Sequence, residues 1–236
     1  MERAVCSAAI GLSFLIACPL AFAGSQHGVS IKVFTSQDDQ FWTNSVIAYP
    51  RVRIIATSAV VTRIHKVYQE KLDKWKQLLG SSATTHVVHV ETLDGNIIPF
   101  ENSHIEVLQH IQGDTDANTM LWIPGQRILV GGDVVFNDMH VYTAETDSLA
   151  RGKWLHSLNA IRAMQPSVVI PGHSKSGAQR DASTAVDFTE TYLRVFEEEL
   201  KQAKDPDSLI EAMKNRFPSA DLLLAIERAT KANVRP

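Results

Sequence analysis

The sequence predicts a layered protein of the α/β or α+β class. Three observations carry that expectation. Short β-branched segments such as Val52 to Ala56 and Ser167 to Ile170 alternate with longer stretches apolar at helical spacing. Glycine, proline and aspartate punctuate the boundaries between them. The composition, 44% hydrophobic and 21% charged over 236 residues, is that of a globular chain and argues against disorder. No internal repeat of about 20–50 residues is visible, which removes solenoids and propellers. With 23 Lys plus Arg against 26 Asp plus Glu, the net charge of −3 excludes a strongly basic nucleic-acid footprint.

Met1 to Ala23 reads as an export signal. Arg3 opens it, an apolar run follows from Ala4, and Ala21-Phe22-Ala23 supplies a small-x-small cleavage site before Gly24. The same run is about the length of a short membrane span, but Pro19 and the cleavage-like tail favour removal. A lipoprotein anchored through Cys18 is the minor alternative: Leu15-Ile16-Ala17-Cys18 resembles a bacterial lipobox, with Pro19 against it. The expected organisation is a signal peptide over 1–23 and one domain over 24–236, periplasmic or secreted. Removing 23 residues from 236 leaves 213, with no later run long enough to span a bilayer. Cys6 and Cys18 are the only cysteines. A mature chain without them has neither a disulfide framework nor a thiolate metal site, leaving histidines and carboxylates as ligands.

The elements follow in order. Val29 to Thr35 alternates as a strand, Asp38-Asp39 turns, and Ser45 to Tyr49 is a second strand stopped by Pro50. Val52 to Ala56 is a third. Thr57 or Ser58 then caps a helix to Leu79, stopped by Gly80, with Val60, Ile64, Val67, Lys71/Leu72 and Trp75 along one stripe. Val87, Val88 and Val90 suggest a strand and Leu93 to Asn96 a turn. Ile97 to Phe100 and His104 to Leu108 form a strand pair. Thr119 to Ile123 and Arg127 to Val130 form a hairpin across Pro124-Gly125, ended by Gly131-Gly132-Asp133. Thr146 or Asp147 opens a helix to Met164, closed by Pro166. Ser167 to Ile170 is a buried strand ended by Pro171-Gly172-His173. Asp181 caps a helix to about Lys204, with Val186, Tyr192, Leu193, Phe196 and Leu200 inward. Helices near 207–216 and 219–232 finish the chain.

Three loops carry metal-capable side chains. Asp133 follows an apolar strand through two glycines, and glycines let a ligand approach the backbone closely. A turn aspartate bonding its own backbone is the equal alternative. His173 lies after a buried strand, either as a functional loop residue or as a surface histidine. Asp114, in Gly113-Asp114-Thr115, stands as a ligand or as an ordinary turn residue. His140 and Asn137, just past Asp133, are candidates to line a substrate pocket. His110 precedes the Asp114 loop. His86 and His89, three apart in a β-like stretch, point to opposite faces. His65 and His156 read as solvated helix positions, His27 is close to the new N-terminus, and Glu197-Glu198-Glu199 reads as a solvated helix face. There is no phosphate loop, dinucleotide fingerprint or G-x-S-x-G elbow.

Taken together, Gly113-Asp114-Thr115, Gly131-Gly132-Asp133-Val134-Val135-Phe136 and Pro171-Gly172-His173 stand in a familiar order. From about Val52 to Lys204 the chain resembles the metallo-β-lactamase-fold hydrolase superfamily. The resemblance implies an αββα layered sandwich, with Asp133 bridging two metals and His173 on the second. Asp114 falls where the family usually carries a further metal-binding histidine. Aspartate also binds zinc through oxygen. Zinc is the implied metal, with iron or manganese also suited to such ligands. A metal-bound hydroxide would then attack an ester, thioester, lactam or related bond of a small-molecule substrate.

The sequence also departs from the family. The signature H-x-H-x-D-H is absent. Phe41 to Tyr49 resembles an early family strand and Val52 to Ile64 the strand and helix that follow the signature. Only Pro50 and Arg51 lie between them. The N-terminal half thus reads as shortened. The expectation is an incomplete metal site, with metal binding weak or absent and a full dinuclear site out of reach unless His110 or His140 substitutes. Uncovered apolar faces would favour a homo-oligomer. The alternative function is a non-catalytic scaffold or binding protein derived from the fold.

Overall fold

The structure, a computed structural model, describes residues 55–82, 90–100, 103–175 and 181–234. The signal-like segment, the strands expected before residue 52, the Pro50-Arg51 junction, His27, His86 and His89 lie outside the described residues. The chain divides at Gly95 into two compact units.

In the first unit, β1 (Ile55–Ala56) pairs in parallel with β2 (Glu91–Thr92). Helix α1 (Ser58–Leu79) begins where expected, since the Thr57 hydroxyl accepts from the Val60 N–H at 3.4 Å. Gly80 ends it at φ 56. Ala56, Val60 and Ile64 form a small core, with Val61 and Val90 packed against it. His65 is exposed, in keeping with a solvated position.

The second unit is built on one mixed five-stranded sheet in the order β3 (Ile97–Phe100), β4 (Ser103–Ile111), β5 (Asn118–Ile123), β6 (Ile128–Asn137) and β7 (Val168–Ser174). Neighbours from β3 to β6 are antiparallel, and β6 and β7 are parallel. The expected hairpin closes in register, Ile123 opposite Ile128. The parallel pair needs a crossover, supplied by α2 (Ser148–Met164). Asp147 caps α2 by accepting from the Ala150 N–H at 2.8 Å. Gln165, left-handed at φ 50, and Pro166 close it. The class is therefore α+β, with the described residues holding this sheet and the two-stranded ladder of the first unit.

Three strand ends move relative to the sequence expectation, the first being β4, which continues past Leu108 to Ile111. β6 does not stop at Gly131-Gly132-Asp133 but continues to Asn137, and β7 runs through Pro171-Gly172-His173 to Ser174. β6 continues because Val134, Val135 and Phe136 are wholly buried and their apolar pattern outweighs the local turn chemistry, and β7 continues by pairing with it as far as Asn137 opposite Ser174.

Helices α2 and α3 (Ala182–Leu200) cover β6 and β7. Trp154, Leu158 and Ile161 of α2 are fully buried, as are Tyr192 and Phe196 of α3. The Trp154 Nε1–H donates to the Val134 carbonyl at 2.8 Å, which meets the polar demand of a buried indole. α3 stops at Leu200 rather than near Lys204. The next helix, α4 (Pro206–Arg216), starts at once behind an Asp205–Ser208 capping box with proline in its first turn. The last helix, α5, spans Leu223–Asn233, a few residues later than expected. Among the described residues no helix is long and apolar enough to cross a membrane.

Candidate functional site

The site begins with a mismatch in strand length. The ten residues of β6 run beside the seven of β7, and register shifts fall between Val130 and Gly132 and between Gly132 and Phe136. β6 bulges there, and bulges re-aim side chains. Gly132 sits at φ 54, a conformation glycine adopts without strain. Beyond the bulge Phe136 stands in register with His173, and the Thr189 hydroxyl of α3 accepts from the Phe136 N–H at 2.9 Å and lies 2.9 Å from its carbonyl oxygen.

The bulge brings two of the expected residues together. Asp133 Oδ1 lies 2.9 Å from His173 Nδ1, and both side chains are 3% exposed. Gly172 makes the approach possible, because a Cβ there would fall on Asp133 Oδ1 and within 2.5 Å of the Gly132 carbonyl carbon. The His173 ring stacks flat on Phe136, centroids 4.9 Å apart and planes 3° apart. The imidazole is thus fixed by a carboxylate on its edge and a ring on its face.

Asp114 reaches the same region from the β4–β5 loop. Its N–H donates to the Asp133 carbonyl at 3.3 Å. Its Oδ1 accepts from the Asn118 side chain at 2.9 Å, while Oδ2 is buried without a hydrogen-bond partner among the described residues. Burial first, and the Asp133 charge second, push its carboxyl up to about 8, against the Asn118 hydrogen bond. A cation there would compete with a proton for the carboxylate.

Asn137 is buried at the end of β6, where its carbonyl accepts from the Lys175 N–H at 3.0 Å. His140 is fully buried and its Nδ1 lies 3.0 Å from the Tyr192 hydroxyl. Burial, with Lys214 adding to it, holds the His140 imidazole down at about 4. Lys214 and Asp221 are the charged groups it feels. His110 is exposed and left-handed at φ 55, at the bulge of β4. His156 is exposed on α2, as a solvated position requires.

Sequence reading missed several neighbours. Tyr142 is 4% exposed and hydrogen-bonded to Arg228 of α5. Burial, then the Glu145 charge, raise its hydroxyl, and Asp114 adds to the effect. Glu145 also acts on Asp114. Nothing local in the sequence marks this set, since Arg228 follows Asp114 by more than a hundred residues. Asn118 was discoverable: an amide four residues after a loop aspartate is a common turn companion.

The arrangement gathers two carboxyl groups and one imidazole. Among the described residues no group of three or more His, Cys, Asp or Glu side chains is disposed to hold a metal ion. The donor chemistry suits a divalent cation: Asp133 Oδ1 and His173 Nδ1 stand 2.9 Å apart, and Asp114 is held in place by Asn118.

No protein-family pattern matches the chain, and no curated protein matches it either. Solved structures that match carry the metallo-β-lactamase fold. One is a metallo-β-lactamase from Pontibacter korlensis, with 18% identity over 64% of this chain and 62% of that one, at a TM-score of 0.43. A metallo-β-lactamase family protein from Thermus thermophilus matches at 15% identity over 76% and 66%, with a TM-score of 0.48. A β-lactamase domain protein from Burkholderia ambifaria matches at 16% over 76% and 57%, also with a TM-score of 0.48. The chain therefore spans less than two thirds of the length of each of these proteins.

Proposed function

We propose that the protein is an exported, shortened relative of the metallo-β-lactamase-type hydrolases that keeps part of their metal-binding residue set without a complete centre. The ordered Gly-Asp and Pro-Gly-His motifs support the family reading. The observation that carries the incompleteness is that no group of three such donors is disposed around a metal position among the described residues. A hydrolytic zinc site normally has three protein ligands and an open water position. Asp133, His173 and Asp114 would be the residues to hold zinc or another divalent ion. Such an ion would supply a hydroxide at neutral pH.

A catalytically active reading rests on one feature, the buried Asp114 Oδ2, which lacks a hydrogen-bond partner among the described residues. On that reading the substrate is a small ester, thioester or lactam. Elemental analysis of the purified protein, with Asp133→Ala and His173→Ala beside it, separates the two. Metal near background in folded protein supports the incomplete centre. Two tightly bound equivalents per chain, lost in both variants, would overturn it and justify a screen of those bond types.

A further inference from the structure

A second buried histidine lies away from the carboxylates and ties three separate segments together. The His140 N–H donates to the Asp221 carbonyl at 2.8 Å, and the Asp221 N–H returns to the Asp138 carbonyl at 3.2 Å. The Ser219 hydroxyl donates to Asp138 Oδ1 at 2.7 Å. Lys175, two residues beyond His173, donates from Nζ to the Ser219 carbonyl and lies 3.4 Å from Asp221 Oδ1. Asp138 at φ 54 and Leu222 at φ 65 are both left-handed non-glycine residues on either side of this exchange. Such conformations are costly and persist only where the surroundings hold them.

The imidazole in the middle of these contacts is set up to be neutral. Tyr192 accepts from the Val141 N–H, so its own hydroxyl hydrogen is free to go to His140 Nδ1. A hydrogen then sits on Nε2, which is buried without a hydrogen-bond partner among the described residues. The Tyr192 ring meets the imidazole edge-on at 5.8 Å and packs against Phe217 at 4.8 Å. The charged or titratable groups around His140 are Tyr192 from α3, Lys214 from α4, Asp221 from the α4–α5 connection, Lys175 through Asp221, and Asp138 on its own loop.

We propose that these contacts form a pH-sensitive clasp that holds the ends of β6 and β7 to the segment before α5 and opens when His140 takes up a proton. A second proton on the ring turns Nδ1 into a donor facing a hydroxyl already oriented to donate. It also places a positive charge in an aromatic pocket beside Lys214. Opening to solvent relieves both conflicts. Because β6 carries Asp133 and β7 carries His173, the clasp couples acidity to the strand ends beyond the carboxylate site. The clasp does not depend on whether that site binds metal.

Hydrogen exchange followed by mass spectrometry at pH 7.5 and pH 5, corrected for intrinsic amide rates, tests the clasp on the full chain. With the imidazole held at about 4 in the closed form and ~6.5 in the open one, opening at pH 5 should be roughly thirty-fold more frequent. The rise should appear in peptides covering 137–142 and 217–224 and be absent from 148–164. His140→Gln keeps an acceptor toward Tyr192 and cannot charge, so its exchange should not respond to pH. An equal rise in His140→Gln, or no rise in the native protein, overturns the clasp. Should that variant not fold, the imidazole proton resonance of His140 in the native protein decides. A ring that titrates near 6.5 while the segments stay protected also overturns it; a closed form that takes up its proton only near pH 4, with exchange of those segments already rising below ~6.5, supports it.

Discussion

Gly172 lies so close to Asp133 that a methyl group at position 172 would occupy the space of the carboxylate oxygen Oδ1. The glycine is what allows β7 to pass the bulge of β6 at the point where Asp133 meets His173. Gly172→Ala should therefore push the carboxylate off the imidazole and lower stability by about 1–3 kcal/mol. Gly152→Ala on α2 is the control. Nothing lies within 4 Å of its added methyl, and alanine should raise stability by about 0.5–1 kcal/mol. Urea unfolding of the two variants reads both signs in one experiment.

The Asp133–His173 pair is nearly inaccessible to solvent, so each partner depends on the other. Removing either alone strands a buried polar group, at a cost of about 3 kcal/mol. The double variant Asp133→Ala/His173→Ala should cost clearly less than the two single changes added together. A double-mutant cycle by denaturant unfolding reports that coupling. Full additivity would show that the two side chains do not interact.

His140 should also shape the acid limb of the global stability curve. Its folded value is depressed, so below about pH 6.5 the unfolded chain binds the proton that the folded chain refuses. Stability is unaffected by this group above 6.5, falls as pH drops toward 4, and has then lost ~3 kcal/mol from this group. Thermal unfolding between pH 4 and 8 should show a shallower acid limb for His140→Gln than for the native chain.

Arg151 is 2% exposed in the contact between α2, α3 and α5. It bonds Glu197 at 2.5 Å and Asn233 at 2.8 Å, and its guanidinium lies 5.2 Å above the Phe196 ring. Asn233 passes the link on to the Thr143 carbonyl at 3.1 Å. Arg151→Ala should cost about 3 kcal/mol by leaving Glu197 Oε1 and Asn233 Oδ1 without their Arg151 donor, while Ser148 still donates to Glu197 Oε2. Arg151→Lys should recover little, because an ammonium cannot span the same acceptors. Guanidinium unfolding midpoints of the two variants test this.

The features legible in the sequence are those closed by neighbours in the chain. Thr57, Asp147 and Asp181 cap α1, α2 and α3 through contacts three residues away, so residue type alone narrows each start to one or two positions. The 123–128 hairpin and the loop around Asp114 are local in the same sense. Glycine and proline mark local breaks at Asp133 in β6 and before Pro171 in β7, whereas the burial of Val134 to Phe136 under α2 and α3, which carries β6 onward, exists only in the packed fold.

Asp133, His173 and Asp114 were legible as residue types in a familiar order, but their relationships were not. That His173 faces Asp133, that burial raises the Asp114 carboxyl, and that His140 belongs to Tyr192 on α3 were decided by tertiary structure. His140 and Tyr192 are 52 residues apart and Asp133 and His173 are 40 apart, and no periodicity within one element encodes such distances. A cap is closed within one turn of helix, whereas a buried pair or a shifted acid constant exists only once separate strands and helices have packed and expelled the water between them.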